Sequence, residues 1–224
     1  MVIWREAFIL VTRKTTHAYV LRKSRSSLVF CEASFAIRNP SEWIIRFAPL
    51  VREGGPVLDL AAGGGRHGRY FLERGHPVTL VDRQTEALLD LVPDQRATVI
   101  QADLEDGSPW PLNEKYAGVV VVNYLHRPLT ENLLESLEPG GLLIYETFAR
   151  GNENFSRPRN PDHLLKSGEL LQMVLGRLQV IAYEHGIREK CPLPGVIQRI
   201  CAVNNLDQSV REDREPQVIN LEPN

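Results

Sequence analysis

The sequence predicts an α/β protein with a mostly parallel sheet and helices on both faces. Two observations support this fold class: short apolar segments alternate with helical patterns along most of the chain, and glycine- or proline-containing turns separate them. A chain of 224 residues suits one domain of this kind with a sizeable core. Its 43% hydrophobic and 24% charged residues are typical of a globular protein.

Apolar segments that end at turn residues are predicted to be strands. The run "PVLDLA" stops at glycines, and "AGVVVVNYL" is the richest in β-branched residues, so we expect it to be the central strand. The last two strands are joined by a turn region that contains Pro192 and Pro194. The predicted strands are 56–61, 77–82, 97–103, 117–125, 142–148, 178–187 and 195–203.

Helical patterns fill the connections between these strands. The first is closed by Gly75, which suits a helix C-terminus, the second stops before Pro93, and the third ends at "EPGG". The predicted helices are 66–74, 84–92, 128–137 and 164–175. Because the strands alternate with helices, we expect ligands to bind at the carboxyl ends of the strands.

The two ends of the chain differ in composition from the domain predicted over 39–204. Residues 1–38 carry seven Lys or Arg against two acids and are rich in Ser and Thr. This segment is interpreted as a poorly ordered or weakly packed extension, as upstream codons counted into the chain, or as a mitochondrial presequence. Residues 205–224 are polar with mixed charges and are predicted to form a solvated tail.

Charge and cysteine usage narrow the class of protein. A net charge of −2 disfavours a dedicated nucleic-acid partner, which usually requires a basic surface. Cys31, Cys191 and Cys201 are far apart, so we expect reduced thiols rather than disulfides or a metal site. No apolar run approaches the ~20 residues that span a bilayer. We expect a cytoplasmic protein that has no membrane partner and is a monomer or a homodimer.

Polar residues stand at or near the ends of the first five predicted strands. Each of them alone is explained by the preference of Asp and Asn for turns. Together they line the edge of the sheet where this fold class places its ligand, which favours a binding site. These residues are Asp59, Asp82, Asp103, Asn123 and Glu146.

The stretch "DLAAGGGRHG" after the first strand contains Gly63, Gly65 and Gly68, the GxGxxG spacing of a dinucleotide-binding turn. An NAD pyrophosphate is disfavoured here because Asp59 lies beneath the same turn. A carboxylate suits instead the ammonium and sulfonium of S-adenosylmethionine (SAM), which has no phosphate. Asp82 ends the second strand, where an acid accepts the ribose hydroxyls of adenosine.

Four stretches resemble successive motifs of the class I SAM-dependent methyltransferases over about residues 41–204: "VLDLAAGGGRHGRYFLERGHPVTLVDR", "IQADLED", "AGVVVVNYLHRPL" and "LEPGGLLIYETF". The resemblance implies a Rossmann-like seven-stranded sheet with an antiparallel last strand. It also implies that Asp59, Gly63 and Gly65 line the methionine end of SAM, that Asp82 takes the ribose, and that Asp103 with Leu104 frames the adenine. The full set expected to bind the cofactor is Asp59, Ala61, Gly63, Gly65, Arg66, His67, Asp82, Arg83, Asp103, Leu104 and Asn123.

The segment "NYLHRPL…YETFARGNENFSRPRNPDHLL" is similar, more narrowly, to small bacterial methyltransferases of the tellurite-resistance type. Two residues depart from the general family pattern: Ala61 replaces its first glycine, and Ala117 stands where many members carry an acid. No Asn-Pro-Pro-Tyr follows the fourth strand, which argues against methylation of adenine N6 or of a glutamine amide.

The residues of the methyl-transfer step are less determined, because the sulfonium is already activated and the protein mainly supplies alignment. The candidate catalytic residues are His126, Tyr124 and Glu146. Each has a structural alternative: His126 as a loop histidine bonded to backbone, Tyr124 as a core side chain, and Glu146 as the partner of a nearby arginine. The loop 149–163 is typical of a lid or substrate loop, although a solvated surface loop is the alternative. Its polar residues and one preceding arginine are predicted to bind substrate: Arg127, Arg150, Asn152 and Arg157.

The sequence therefore predicts a SAM-dependent methyltransferase that acts on a small-molecule acceptor, such as an oxyanion or another small polar compound. Three alternatives remain: a nucleic-acid methyltransferase, a non-catalytic SAM-binding or interaction protein on the same fold, and an NAD-dependent reductase.

Overall fold

A single sheet of seven strands forms the centre of the computed structural model, which describes residues 39–189, 194–206 and 212–221. The strands are β1 (Val57–Leu60), β2 (Val78–Asp82), β3 (Ala97–Gln101), β4 (Tyr116–Val122), β5 (Leu137–Phe148), β6 (Gln179–Arg188) and β7 (Gly195–Val203). Their order across the sheet is β3-β2-β1-β4-β5-β7-β6. The first five strands are parallel, whereas β7 lies between β5 and β6 and is antiparallel to both. The predicted fold class is confirmed, and β4 is indeed the central strand.

Short helices precede β1 and lie in several of the connections between later strands. They are α1 (Glu42–Phe47), α2 (Arg66–Leu72), α3 (Thr130–Glu135) and α4 (Glu169–Val174), together with 3-10 turns at Ala48–Leu50, Glu86–Leu91, Arg127–Leu129, Asn152–Asn154 and Pro161–His163. The Ser41 side chain caps α1 by accepting a hydrogen bond from the Trp43 backbone N–H.

Both faces of the sheet are buried, as expected for a parallel sheet between helices. Alternate residues of β1 point to opposite faces, so Val57 belongs to one apolar cluster and Leu58 to the other. The first cluster includes Trp43 of α1 and Phe71 of α2, which are 1% and 0% exposed. This packing fixes α1 and α2 against the sheet near the carboxyl ends of its strands.

Three predicted elements are corrected by the structure. The segment 84–92 forms only the 3-10 turn Glu86–Leu91 rather than an α-helix. "EPGG" belongs to the start of β5, which begins at Leu137 rather than at 142, because Leu137 pairs with Tyr116 across a register irregularity. The last predicted helix begins at Glu169, not at 164.

The late start of α4 has a local cause. Leu164 and Leu165 are buried, and Leu165 forms an isolated parallel bridge with Ala149, which keeps the chain extended there. Gly168 has a left-handed backbone with φ of +73°, so helical geometry begins only after it.

Some sequence predictions fall outside the described residues: the extension 1–38, the part of the last turn at 190–193, and portions of the tail at 207–211 and 222–224. The tail at 212–221 is mostly exposed and has no helix or strand, although Ile219 packs against the first apolar cluster. Among the described helices, none is long and apolar enough to cross a membrane.

Candidate functional site

The glycine turn after β1 adopts a left-handed backbone at three positions. Ala61, Gly63 and Gly65 have φ angles of +54°, +55° and +71°. A Cβ on Gly63 would meet nothing within 4 Å, whereas one on Gly65 would lie 2.6 Å from Cδ2 of Leu88. The turn is therefore packed from below and open above Gly63, which leaves room for a ligand against the backbone.

Gly68 has a different role from the other two glycines of the GxGxxG pattern. A Cβ there would lie 2.6 Å from Cδ2 of Leu80 in β2 and 3.2 Å from Oδ2 of Asp59. Its backbone N–H donates to Oδ2 of Asp59 at 2.8 Å. Gly68 is thus a helix-packing residue that lets α2 approach the sheet closely.

Asp59 lies beneath the turn and is 1% exposed. Burial raises the pKa of Asp59 to about 7, because desolvation outweighs the Gly68 hydrogen bond and the nearby charge of Arg66. No salt bridge shorter than 4.0 Å reaches this carboxylate from the described residues. It is therefore a buried acid poised to ionise near neutral pH, and a cation placed above it would favour the ionised form.

His67 follows Arg66 at the start of α2 and is also buried. The Ser41 backbone N–H donates to its Nε2 at 3.3 Å, so Nε2 accepts and the proton is assigned to Nδ1, 4.0 Å from Oδ1 of Asp59. Burial and the Arg66 charge lower the pKa of His67 to about 3. The imidazole is therefore neutral and joins α1 to α2 beside Asp59.

Asp82 ends β2 and is anchored by backbone donors on both oxygens. Oδ2 accepts from the Gly63 N–H at 2.7 Å, and Oδ1 accepts from the Gln84 N–H at 2.9 Å. The first bond ties the carboxylate directly to the open part of the turn. Each oxygen keeps a further lone pair, so the group is suited to accept two adjacent hydroxyls.

A cavity of about 290 Å³ lies beyond the end of β3. Its lining includes Asp103, Leu104 and Trp110, and Oδ1 of Asp103 accepts from the Glu105 N–H at 3.0 Å. Leu104 and Trp110 pack against the second apolar cluster. Asp106 also lines the cavity, which therefore combines two acids with the side chains of Leu104 and Trp110. Arg83 is exposed nearby, and its carbonyl accepts from Nε2 of Gln101 at 3.1 Å.

Asn123 and Tyr124 follow β4 at the centre of the edge. Asn123 has φ of +58°, a conformation that Asn tolerates, and its N–H donates to the Glu146 carbonyl at 2.9 Å. The Tyr124 hydroxyl is buried and makes no well-formed hydrogen bond to a described residue. Burial first, and the charge of Glu105 second, raise its pKa. Tyr124 therefore faces the acids at the ends of β2 and β3 as a neutral phenol.

His126 is half-buried in the same loop, and its imidazole has no hydrogen bond to any part of the chain that the structure describes. The neighbouring Arg127 is fully engaged: its guanidinium bonds both carboxylate oxygens of Glu169 at 2.5 and 3.1 Å and the carbonyls of Asp162 and Leu164. These contacts favour a role in fixing the loop. The predicted role of Arg127 in binding substrate remains a prediction.

The loop 149–163 is less open than its composition indicates. Asn152 is fully buried and donates to the carbonyls of Ser156 and Pro158, so it holds the loop together. A Cβ at Gly195 would collide with its Oδ1. Arg150 and Arg157 are exposed, and neither makes a side-chain hydrogen bond to another described residue. Their assignment to substrate binding is not tested by these contacts.

A cavity of about 460 Å³ lies beside Asn123, between α1, α2 and the strands β5, β6 and β7. Glu146 lies at its base and is 2% exposed. Its Oε1 pairs with Arg188 at 3.1 Å, and its Oε2 pairs with Arg199 at 3.4 Å. The sequence predicted Glu146 but not Arg188 or Arg199. The signal that could have found them is their position near the end of β6 and within β7, the last two predicted strands.

No cluster of three or more His, Cys, Asp or Glu with the spacing of a metal site occurs among the described residues. Cys201 is a buried free thiol in β7, and burial raises its pKa to about 12. Cys31 and Cys191 lie outside the described residues.

Several solved structures share this fold. TehB from Haemophilus influenzae, a tellurite resistance methyltransferase, superposes with a TM-score of 0.58 at 17% identity, covering 70% of this chain and 60% of TehB. A SAM-dependent methyltransferase from Methanosarcina mazei superposes with a TM-score of 0.55 at 15% identity over 74% of this chain and 98% of its own. The present protein has the class I SAM-dependent methyltransferase fold.

A third methyltransferase-fold neighbour contains a ligand. The 1,6-didemethyltoxoflavin-N1-methyltransferase from Burkholderia thailandensis, solved with its substrate and S-adenosylhomocysteine, matches with a TM-score of 0.54 at 20% identity over 72% of this chain and 76% of its own. No family model and no curated protein sequence matches this chain. At these identities, the likeness to a methyltransferase establishes the fold, and the chain spans about three fifths of TehB.

Proposed function

We propose that this protein is a methyltransferase that uses SAM and acts on a small-molecule acceptor. The observation that carries the proposal is the arrangement around the turn: a buried acid beneath it, and a second acid whose Oδ2 accepts a hydrogen bond from the Gly63 N–H. Both acids face the ligand edge of a methyltransferase fold. An NAD pyrophosphate at the same turn would lie above the buried carboxyl group of Asp59 and is therefore disfavoured.

The residues present fit the cofactor part by part. Asp82 is suited to accept both ribose hydroxyls because its orientation is fixed by two backbone N–H groups. Asp103 and Leu104 line a cavity of suitable polarity for the adenine. Asp59 offers a negative charge to the cationic methionine end, and the left-handed Ala61 and Gly63 let backbone approach that end. His67, Arg83 and Asn123 complete the proposed set, whereas Arg66, which the sequence also predicts to bind the cofactor, lines the neighbouring cavity beside Glu146.

When bound, SAM supplies a methyl group that is already activated by the positive sulfonium. The acceptor's lone pair would bond to the methyl carbon, and the electron pair of the broken carbon–sulfur bond would stay on sulfur, which would leave as the neutral thioether. The chain's own contribution is to hold the two molecules in line and to exclude water, effects worth up to ~7–11 kcal/mol in well-oriented systems.

A base is required only for an acceptor that must lose a proton. His126 is the candidate because its half-buried imidazole is not engaged by another described residue. Tyr124 is a weak candidate, because its raised pKa keeps the phenol protonated near neutral pH. Glu146 is already paired with two arginines, so we assign it to the architecture of the acceptor side rather than to proton transfer.

The neighbours support a small-molecule acceptor. The Burkholderia thailandensis enzyme contains a small heterocyclic substrate, and coclaurine N-methyltransferase was solved with N-methylheliamine. Nothing in the net charge of −2 favours a nucleic acid instead. A non-catalytic SAM-binding protein on the same fold is the second candidate, favoured by the extensive pairing of Arg127 and Glu146.

Calorimetry with SAM, S-adenosylhomocysteine and NAD tests the cofactor assignment. We expect the first two to bind and NAD not to bind. Binding of NAD without SAM would refute the proposal. If SAM binds but no methyl transfer occurs to thiols, amines, phenols or oxyanions, the non-catalytic candidate replaces the enzyme.

A further inference from the structure

The 460 Å³ cavity lies at the methyl-donating end of the proposed cofactor site. Asn123, which follows β4, lines this cavity, whereas the 290 Å³ cavity proposed for adenine is lined by residues that follow β3, a strand separated from β4 by β2 and β1. The volume falls within the range of ~300–1,000 Å³ that holds small molecules in proteins. A sulfonium held near Asn123 would place its methyl group beside this cavity.

Arg66 enters the cavity from the first turn of α2. Its Nη1 donates to the Asn39 carbonyl at 3.3 Å, and no described carboxylate lies within 4.0 Å of its guanidinium. Burial lowers the pKa of Arg66, and the charges that act on it next are those of Glu146, Asp59 and Arg188. The guanidinium is therefore half-buried and shares one space with Glu146 and Arg188.

The charges around the cavity do not cancel. Its lining contains three arginines, Arg66, Arg188 and Arg199, against two acids, Glu42 and Glu146. Each oxygen of Glu146 is taken by one arginine, and Arg199 also bonds Glu184 outside the cavity at 2.6 Å. Glu42 is exposed at the rim. Among these three arginines, Arg66 is the one without a carboxylate partner in the described part of the chain.

We propose that this cavity is the acceptor site and that it selects acceptors carrying a carboxylate, which binds to Arg66 and faces the Glu146–Arg188 pair. The inference rests on the proposed function and adds the class of acceptor. A guanidinium recognises a carboxylate through two parallel N–H···O bonds, which gives orientation as well as affinity. Such an anchor leaves the remainder of the acceptor, over the apolar side chains of Ile45 and Tyr70, to present its nucleophile toward Asn123.

In this proposal Arg66 binds the anionic group of the acceptor, rather than the arginines of the loop 149–163. Arg150 and Arg157 are exposed on the loop 149–163, whereas Arg66 is half-buried in a cavity. Partial burial strengthens a charge–charge interaction because water screens it less. The same loop is held by Asn152 and by the Arg127–Glu169 pair, so the loop arginines need not contact the acceptor.

The test uses the full chain saturated with S-adenosylhomocysteine and measures binding of matched probes by calorimetry: acetate with acetamide, and benzoate with benzamide. We expect an acid to bind at least about tenfold more tightly than its amide, the effect of one charge-assisted pair. The Arg66→Gln variant should lose this preference. Arg52→Gln, which removes a surface arginine paired with Glu138, should keep it.

Other outcomes overturn the inference without touching the proposed function. If S-adenosylhomocysteine binds but no acid is preferred over its amide, the acceptor is not selected by its carboxylate. The cofactor's own carboxylate is the other possible partner of Arg66. In that case Arg66→Gln weakens S-adenosylhomocysteine but not 5′-methylthioadenosine, which lacks that carboxylate, and acid preference is absent. Failure of the proposed function is distinct, because then S-adenosylhomocysteine itself does not bind.

Discussion

The two halves of the ligand edge are built from different interactions. On the β1–β2 side, carboxylates hold backbone N–H groups, with Asp59 bonded to Gly68 and Asp82 bonded to Gly63. On the β5–β7–β6 side, Glu146 holds two side-chain cations, Arg188 and Arg199. The first half is a rigid backbone cradle, whereas the second is a charged cavity wall. A common cofactor needs the first, and acceptor specificity is expected to reside in the second.

The largest expected effect on stability comes from the charged half. Glu146→Gln leaves Arg188 and Arg199 facing each other without their shared carboxylate. Their side chains are 17% and 23% exposed, so water offsets part of the penalty, and we expect a loss of about 2–4 kcal/mol. Urea unfolding measures this loss in the free energy of unfolding.

The matched control is Glu131→Gln, which breaks the exposed pair with Arg177 and should change stability by less than about 1 kcal/mol. Equal effects of the two variants would contradict the contrast between the halves.

The cradle half should instead show its largest effect in binding. Asp82→Ala removes the acceptor of both ribose hydroxyls, and each charge-assisted bond is worth about 1.5–3 kcal/mol, so the loss of both should lower affinity for S-adenosylhomocysteine by at least about 100-fold. Calorimetry measures this, with Glu131→Gln again as the control. An unchanged dissociation constant would refute the ribose assignment.

The buried acid of the cradle should make cofactor affinity depend on pH. Because the pKa of Asp59 is raised to about 7, the group is mostly neutral below pH 7 and mostly ionised above it. A cationic ligand favours the ionised form, so SAM affinity should increase as the pH rises toward 7, by at most about tenfold per pH unit, and level off above it. Neutral His67 and the constant charge of Arg66 do not titrate in this range.

Asp59→Asn removes this titration and should flatten the profile between pH 5 and about 7. Calorimetric titrations of SAM at several pH values measure both proteins. A slope that persists in the variant would show that another group is responsible.

The smallest effect concerns the left-handed residue of the turn. Ala61 has φ of +54°, which costs an alanine about 1–2 kcal/mol, whereas glycine adopts it freely but has more entropy to lose on folding, about 0.5–1 kcal/mol. Ala61→Gly should therefore stabilise the protein by roughly 0.5 kcal/mol, and Gly63→Ala in the same turn should destabilise it by a similar or larger amount. Thermal unfolding measures both. A destabilised Ala61→Gly would contradict the reading of the turn as strained.

The sequence separation between interacting residues explains how well the sequence predicts each half of the site. The cradle is specified within a short span, since Asp59 and Gly68 are nine residues apart and Gly63 and Asp82 are 19 apart. The strands there match the predicted segments closely. The charged half joins Glu146 to residues 42 and 53 positions later, and no local pattern identifies such partners.

Local sequence patterns also do not predict the contacts that hold the loops on the acceptor side. The sequence predicts that Arg127 binds substrate, which stays a prediction, but it does not indicate the bonds of Arg127 to Glu169, 42 residues away, and to two carbonyls of the segment between. Asn152 is a residue type common in exposed loops, yet its side chain is fully buried and holds the loop together. In both cases a polar side chain satisfies backbone groups of an irregular segment, a demand that appears only once the chain is folded.

A crystal structure of the protein with S-adenosylhomocysteine tests the central claim most directly. The account predicts ribose hydroxyls on Asp82, the adenine beside Asp103 and Leu104, and the sulfur near Asn123 facing the cavity of Arg66 and Glu146. A ligand bound elsewhere, or one whose sulfur points away from that cavity, would contradict the account.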